Sequence, residues 1–392
     1  MANTLTSLIP AMYEALDVVS RELTGFIPAV SRSSSVARAA LNQSVLVPVT
    51  NDADSANNTP GVTAPDTGDA TVDNVEITIS KSKHVPVRWN GEETRGLVNA
   101  GTFSTIQADR FYQAMRTLVN EIEYDVWYEA YRRASRAYGS AGTTPFATAG
   151  DMTDFSNTLR LLEENGAPTN DLQLVLGHAA MGNLRGKQSN LFKVNEAGSA
   201  DMLRNGMTDR IMNMAIRHSH RVGIHTPGTA QGVSPAYLVD QGTSPAGYVA
   251  EDTTIHLDTG SGTHIPGDVI SFAGDTNKYV IGTGASGSGD KDIVLAKPGL
   301  KASLANDVST SLLAAYTANV AFARSAIVLA TRAPALPEGG DAADDSMMLV
   351  DDRTGLAFEV AVYRQFLQTV YHVRLAWGFR AIKPEHIGIL VG

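Results

Sequence analysis

The sequence contains no cysteine, so disulfide bonds, thiolate nucleophiles and cysteine-ligated metal sites are excluded. It also lacks any run of about 18 apolar residues, so we expect no membrane-spanning helix. The first residues show no basic segment ahead of an apolar run, because Glu14 and Asp17 interrupt the first apolar stripe. We therefore expect no signal peptide. These absences favour a protein that is made in a cytoplasm and stays soluble there.

Positive charge is also scarce. The chain has 31 Lys and Arg against 41 Asp and Glu, which gives a formal net charge of −10. This balance argues against a protein whose main task is to bind nucleic acid through its phosphates. Hydrophobic residues make up 43% of the 392 positions, enough for a substantial core. A chain of this length predicts two or three packing units.

A long helix is predicted from Ser104 to Gly139, a stretch with no proline and no internal glycine. Ser104 and Gln107 match a capping box at its start, and Gly139 supplies a left-handed stop. The predicted helix would be about 50 Å long, which exceeds most single cores and indicates a strut between packing units. Its apolar residues recur at three- and four-residue spacing and predict one buried face: Phe111, Met115, Leu118, Ile122, Val126 and Ala130.

Ahead of this helix, residues 44–90 predict a long hairpin that stands away from any core. Its strands are Ser44–Thr50, Asn74–Ile79 and His84–Trp89, and the polar stretch 51–73 connects the first two. A two-stranded arm is marginal in water. The sequence therefore indicates that another subunit covers the arm.

Residues 226–310 are rich in Gly, Thr, Ser and Asp, and turn signals separate several short strands. This pattern predicts a small antiparallel barrel or sandwich inserted into a host domain. The host pattern lies on both sides of the insertion. Before it we predict a helix over Asp151–Asn165, a strand over Leu172–Leu176 and a short helix from His178. After it we predict a helix over Thr310–Phe322 and strands over Ala326–Thr331, Leu356–Gln365, Tyr371–Ala381 and Ile387–Val391.

Two motifs could carry binding chemistry. Gly282, Gly284 and Gly287 fit G-x-G-x-x-G, but a dinucleotide loop must open a helix and this one leads into a strand, so a hairpin loop is favoured. A histidine cluster could ligate a metal, with the first two members on one face of a strand. No acidic or sulfur ligand is beside it in the sequence, and a solvated strand end is favoured. The cluster comprises His218, His220 and His225.

Two sets of charged residues on the long helix also have a functional and a structural interpretation. An acidic band could do acid–base work, but ion pairs at the surface or between subunits are favoured. A basic and aromatic group could touch a phosphate backbone, but a complement to the helix C-terminus is favoured. The two sets are Glu121, Glu123, Asp125 and Glu129, and Arg132, Arg133 and Arg136 with Tyr131 and Tyr138.

No serine-hydrolase elbow, Walker loop or metalloprotease helix is present in the sequence. We therefore predict no catalytic, cofactor-binding or metal-binding residue, no cofactor, and a protein that is not an enzyme.

Three stretches and the order of the parts resemble a known family. Val45–Val49 (VLVPV) resembles a strand that leads into an extended loop, Gly267–Gly274 (GDVISFAG) is similar to an insertion-domain strand, and Lys383–Ile389 (KPEHIGI) resembles a final motif. The family is the tailed-phage major capsid proteins with the Hong Kong 97 fold. The likeness is closest to the P-twenty-two-like coat proteins, whose shell domain carries a β-rich insertion.

The resemblance implies an α+β chain with an N-terminal arm (1–43), an extended loop (44–98), and a spine helix with peripheral domain (99–165). An axial domain (166–225 and 311–392) and a β-rich insertion (226–310), shorter than the family pattern, complete it. The implied function is a structural subunit of an icosahedral virion capsid that encloses double-stranded DNA without sequence-specific contacts. Implied partners are copies of itself in hexamers and pentamers, a scaffolding protein, a portal and a decoration protein, with assembly in the host cytoplasm.

Three other classes of protein are alternatives to a capsid subunit. An encapsulin-like nanocompartment shell would share the fold without a genome, and the inserted β-domain argues mildly against it. An enzyme would use the histidine cluster or the glycine loop. A surface adhesin would be built on the β-rich half, and the missing secretion signal argues against it.

Overall fold

The computed structural model describes residues 24–50, 57–58, 60–61, 72–99, 103–188, 210–241, 247–350 and 355–392. The fold is mixed α+β, which confirms the predicted class. Its helices are α1 Gly91–Asn99, α2 Phe103–Arg132, α3 Thr153–Glu163 and α4 His178–Lys187. Among the helices of these ranges, none is long and apolar enough to cross a membrane.

The strands are numbered in chain order. They are β1 Ser31–Ala39, β2 Ser44–Thr50, β3 Val72–Thr78, β4 Lys81–Asn90, β5 Arg136–Tyr138, β6 Leu172–Leu176, β7 Arg210–Ile211, β8 Met214–His218, β9 Ile224–His225, β10 Leu238–Val239, β11 Thr254–Asp258, β12 Val269–Phe272, β13 Lys278–Thr283, β14 Lys291–Leu295, β15 Thr310–Leu312, β16 Tyr316–Ala323, β17 Ile327–Pro334, β18 Asp345–Val350, β19 Ala357–Gln365, β20 Gln368–Ala381 and β21 Ile387–Val391.

A first sheet is built around the 14-residue strand β20. Strand β4 pairs along one edge of β20, and β19 and β17 share the opposite edge, with β18 and β1 outside them. Tyr371, Val373, Leu375 and Trp377 alternate along β20 and are buried. This face packs against α2, where the ring of Phe111 meets the ring of Tyr371 edge-on at 5.3 Å.

A second sheet has β16 at its centre, between β21 and β6. All five residues of β6 and of β21 are buried, which explains their continuous apolar sequences. Strands β10, β11, β14 and β13 join this sheet through β5, which pairs with both β13 and β21. Residues 230–312 also form a hydrophobic cluster of their own, separate from the main core.

The predicted face of α2 is confirmed, because all six of its apolar residues from Phe111 to Ala130 are buried. Its predicted end is wrong. The helix ends at Arg132 rather than at Gly139, and the next residues form β5. The amide of Ser135 donates to the carbonyl of Ile387, and Arg136 is buried beneath α3. Pairing with two strands therefore overrides the local helical preference.

The helix predicted for Thr310–Phe322 is also wrong, since this stretch forms β15 and β16. Its apolar run is buried on both faces of the second sheet, a pattern that periodicity alone does not distinguish from a buried helix. Strand β1, strand β18 and helix α1 were not predicted. The remaining predicted strands and the helices near 151–165 and 178 are confirmed, with ends shifted by a few residues.

The predicted free-standing hairpin is only partly correct. Strands β2 and β3 form a separate two-stranded ribbon, but β4 is a full member of the first sheet. The predictions for residues 1–23 and for most of 51–73 lie outside the described residues. Residues 311–392 divide between the two sheets, while the predicted domain boundaries stay a prediction.

Candidate functional site

Glu123, from the predicted acidic band, lies in the middle of α2 and is fully buried. Its carboxylate accepts hydrogen bonds from the amides of Gly25, Phe26 and Ile27 at 3.3, 3.1 and 2.8 Å. The hydroxyl of Ser219 donates a fourth at 2.9 Å. Burial raises the pKa of Glu123. The side chain therefore fixes the turn at residues 25–30 to the helix and is not a surface ion pair.

Asp125 is also buried and joins α2 to the first sheet. It accepts a hydrogen bond from the indole of Trp377 at 2.9 Å and pairs with Lys81 at 2.8 Å. Glu121 pairs with Lys81 and Lys83 of β4. Glu129 contacts Arg133 one turn later at 3.5 Å. Surface pairing is thus confirmed for Glu129 and is wrong for Glu123 and Asp125.

The predicted basic and aromatic group does not form one surface. Arg136 is 1% exposed in β5 and pairs with Glu164 at 2.7 Å. Tyr131 is buried, and burial raises its pKa. Arg132 lies over the ring of Tyr128 at 4.5 Å and donates to the carbonyl of Pro266. These contacts give Arg132 and Arg136 structural partners rather than a shared phosphate site.

The three predicted histidines have different partners. His218 ends β8, and its Nε2 lies 3.0 Å from Nδ1 of His178. Burial and the neighbouring His178 lower the pKa of His218 to about 4. His220 follows the end of β8, so the prediction that it shares a strand face with His218 is wrong. Within the described ranges, no group of three or more His, Asp or Glu side chains is placed to hold a metal ion.

His225 is buried at the junction of α2, β9 and the loop before β12. Its Nε2 lies 2.8 Å from Asp268, whose carboxylate also accepts hydrogen bonds from the amides of Gly228 and Ile265. The hydroxyl of Tyr316 donates to the carbonyl of Gly267. This group of residues joins the separate cluster at 230–312 to the main core. Sequence reasoning missed it because its members are far apart in the chain.

Gly282 lies near the end of β13, and Gly284 and Gly287 lie in the loop that joins it to its antiparallel partner β14, which confirms the hairpin interpretation. A Cβ at Gly284 would lie 2.0 Å from the carbonyl oxygen of His264, so only glycine fits where these two loops cross. No helix follows the motif. The arrangement therefore lacks the helix N-terminus that a bound phosphate needs.

The ribbon formed by β2 and β3 borders an open cleft. Ile77 is buried at its base, where Val45 and Val47 also pack against residues of the first sheet. Further out, Val49 and Val75 line a cleft of about 620 Å³ between the ribbon, the end of α2 and residues 379–385. The inner face of the ribbon is therefore apolar, and among the described residues only its base is covered.

The outer face of the ribbon is open as well. Leu46 points away from the cleft and is 63% exposed. Strands β2 and β3 pair with each other and with no other strand of the described residues. The sequence predicted this arm from the polar stretch 51–73, but it did not show which end of the ribbon is anchored. The alternation of Val45, Val47 and Val49 was the available signal.

No protein-family model and no curated protein matches the sequence. Among solved structures, the chain is similar to one described as the capsid structure of the cyanophage P-SCSP1u. That match has a TM-score of 0.47 and 12% identity, and it covers 94% of this chain and 87% of the other.

Two further structures show a similar degree of likeness. One is described as Mycobacterium phage Che8, with a TM-score of 0.42, 11% identity and coverage of 89% and 84%. The other is a virus-like particle from Pyrococcus furiosus, with a TM-score of 0.42, 9% identity and coverage of 98% and 99%. At these TM-scores and identities, the likeness to any of the three carries no argument about function.

Proposed function

We propose that this chain is a structural subunit that self-assembles into the icosahedral capsid of a tailed phage and encloses its double-stranded DNA. The observation that carries the proposal is the β2–β3 ribbon, whose apolar inner face is covered only at its base by the residues that the structure describes. Copies of the same chain would cover the rest.

Physical reasoning supports this use of the ribbon. An isolated two-stranded ribbon is marginally stable in water, and unpaired strand edges attract other chains. Monomeric proteins manage such edges by covering or charging them. The apolar residues Leu46, Val49 and Val75 on this ribbon instead favour a partner. The resemblance of residues 45–49 to the strand entering a capsid protein's extended loop points to the same partner, a neighbouring subunit.

The proposal extends to the rest of the resemblance. Residues 226–310, with their own hydrophobic cluster, act as the inserted domain of a P-twenty-two-like coat protein. Copies associate as hexamers and pentamers, with a scaffolding protein, a portal and a decoration protein as partners. The DNA is enclosed without sequence-specific contacts, and the chain performs no catalysis.

Electron microscopy and sedimentation of the purified full chain test the proposal. We expect closed shells or open tubular assemblies. A monodisperse monomer at every concentration, with residues 51–73 resistant to protease, would overturn it.

A matched pair of variants separates assembly from folding. Leu46→Asp adds a charge to the exposed outer face of the ribbon and should leave the melting temperature unchanged while reducing assembly at least about tenfold. Val249→Asp changes a side chain of similar exposure, 59% against 63%, that lies outside the ribbon. It should assemble normally. Equal assembly of the two variants would show that the ribbon is not the contact.

A further inference from the structure

The hairpin between β19 and β20 ends in two large apolar residues. Gln365 pairs with Gln368, so Phe366 and Leu367 form the whole two-residue loop. They are 89% and 74% exposed, more than any other large hydrophobic side chain of the described residues. Water contact with two such side chains is unfavourable.

The backbone of the loop makes this choice of residues more unusual. Leu367 has a φ of 55°, a left-handed conformation that a side chain with a Cβ disfavours. Two-residue loops of this kind normally use glycine or asparagine at such a position. Leu367 is therefore unfavourable both in the left-handed turn conformation and on a surface exposed to water. This indicates that the loop contacts another surface.

A groove lies beside the loop. Its volume is about 590 Å³, and it runs between α1 and the β19–β20 loop, with Trp89, Val98 and Leu367 in its wall. The amide of Gly91 donates to the carbonyl of Leu367 at 3.1 Å, which holds the start of α1 against the loop. None of the nine residues of α1 is buried, and Val98 is 55% exposed. Leu97 packs against the main core, so Val98 is the large apolar side chain of α1 that the described residues leave open.

We propose that the Phe366–Leu367 loop of one copy docks into the groove between α1 and the β19–β20 loop of a second copy of this chain. The loop and the groove lie side by side on the same polypeptide. Every copy therefore carries both the projecting side chains and the groove that would receive them from another copy. This inference rests on the proposed function, because it assigns one contact of the self-assembling subunit.

The charges around the groove favour a second copy as the occupant. Glu92 and Glu93 begin α1, while Arg95 and Arg364 line the groove. Arg364 already pairs with Asp344 at 3.2 Å within the chain. A second copy brings both signs to the same place, so the acids of one α1 can face the arginines of the next.

The size of the contact also indicates how it is used. A phenylalanine buries about 150–250 Å², and the loop as a whole buries far less than the roughly 1,200 Å² of a stable pairwise interface. The contact is therefore too small to hold an isolated dimer. It suits an assembly in which the same contact is repeated and other contacts keep the copies close.

Because the chain has no cysteine, disulfide trapping tests this docking without background. Phe366→Cys protein is mixed with Val98→Cys protein under assembly conditions and mild oxidation. Any covalent dimer of the two types joins different copies. We expect at least about a fivefold excess of this dimer over a mixture of Phe366→Cys with Val249→Cys, the exposed control position. A yield equal to the control would overturn the inference, including the case in which a different molecule covers the loop.

A second variant keeps the test independent of trapping. Leu367→Gly relieves the left-handed position and removes apolar surface, so it should raise the melting temperature of the free chain and reduce assembly about tenfold. Unchanged assembly would overturn the docking. Electron microscopy of the unmodified chain separates the two ideas: shells without trapping retain the proposed function and reject the loop contact, whereas absence of shells rejects the proposed function itself.

Discussion

Among individual residues, Glu123 shows how burial changes the role of a carboxylate. Sequence reasoning grouped it with Glu121 and Glu129, because all three lie on one helix. The structure places Glu123 under the 25–30 turn, where three amides and one hydroxyl donate to it. Its partners lie about a hundred positions away, and no local pattern in the sequence connects them.

Glu123→Gln should therefore be strongly destabilising. The glutamine side chain keeps one acceptor oxygen, but its NH₂ group faces backbone N–H donors. Buried backbone amides therefore lose the oxygen that accepted their hydrogen bonds. We expect the free energy of unfolding to fall by about 3 kcal/mol, measured by urea denaturation. Glu121→Gln, on the same helix but in a partly exposed pair with Lys81 and Lys83, should cost about 1 kcal/mol or less. Equal losses would contradict the assigned role of Glu123.

His264 is the second residue with an unusual environment. It is 1% exposed, and neither ring nitrogen has a hydrogen-bond partner among the described residues. Its ring lies 5.0 Å from that of Tyr237. Burial, with a further contribution from Lys291, lowers the pKa of His264 to about 4. Between pH 6.5 and pH 4 the unfolded chain binds this proton more readily than the folded chain, so acidification weakens folding.

His264→Leu should remove that pH dependence. The variant should be as stable as the parent chain at pH 7 and melt higher than it at pH 5, by differential scanning fluorimetry. His256→Leu is the control of opposite sign. Its hydrogen bond to Asp292 raises the pKa of His256, so its stabilisation is present below pH 6.5 and is lost as pH rises through the raised pKa. An unchanged slope in His264→Leu would contradict the assignment.

At the scale of elements, α2 is the part that the sequence predicted best and also the part whose end it missed. Three- and four-residue spacing is a local signal, and the six apolar positions that it identified are all buried. The end of the helix depends on β21 and β13, which come much later in the chain and pair with β5. Local propensity gave no sign of that pairing.

The same reasoning explains the other errors. Residues 316–323 are mostly apolar and almost entirely buried because β16 lies between β21 and β6, and such a run fits a buried helix equally well. Strand β1 is serine-rich and forms only because β17 offers a parallel edge. The ribbon could be foreseen from its alternating valines, but its anchoring through Ile77 and Ile79 depends on residues of β17 and β20.

Replacing Leu118 or Ile122 with aspartate should abolish soluble folding. Both side chains are buried in the main core, where an unpaired carboxylate costs several kcal/mol. Thr117→Asp, at an exposed position on the same helix, should give a normal yield of folded protein. The soluble fraction after expression and the circular dichroism spectrum are the measurements. A normal yield from Leu118→Asp would contradict the observed orientation of α2.

At the scale of the whole molecule, the described residues form three hydrophobic clusters, the smallest of which anchors the ribbon. The main core unites α2 with both sheets, and the second cluster lies within residues 230–312. The ribbon belongs fully to neither, because Val49 and Val75 face a cleft instead of a core. Within the part of the chain that the structure describes, the outer part of the ribbon is therefore left without a core to pack on.

Replacing residues 51–71 by Asn-Gly should separate these two properties. The shortened ribbon keeps β2 and β3, and Asn-Gly supplies a favoured hairpin turn. We expect a folded monomer whose melting temperature changes by a few degrees at most, and sedimentation should show little assembly. A Gly/Ser segment of the original length is the control for chain length alone. Normal shells from the shortened chain would show that this segment is dispensable for assembly.

The attachments along α2 also limit where the subunit can change shape. Glu123, Asp125 and Glu121 bind the 25–30 turn, β20 and β4 to one helix within little more than a single turn. Bending the helix there would break several buried bonds at once, so helix, turn and first sheet must move as a rigid body. A hinge that adapts the molecule to a differently curved surface must therefore lie elsewhere. The base of the ribbon and the short link between α2 and β5 are the two candidates.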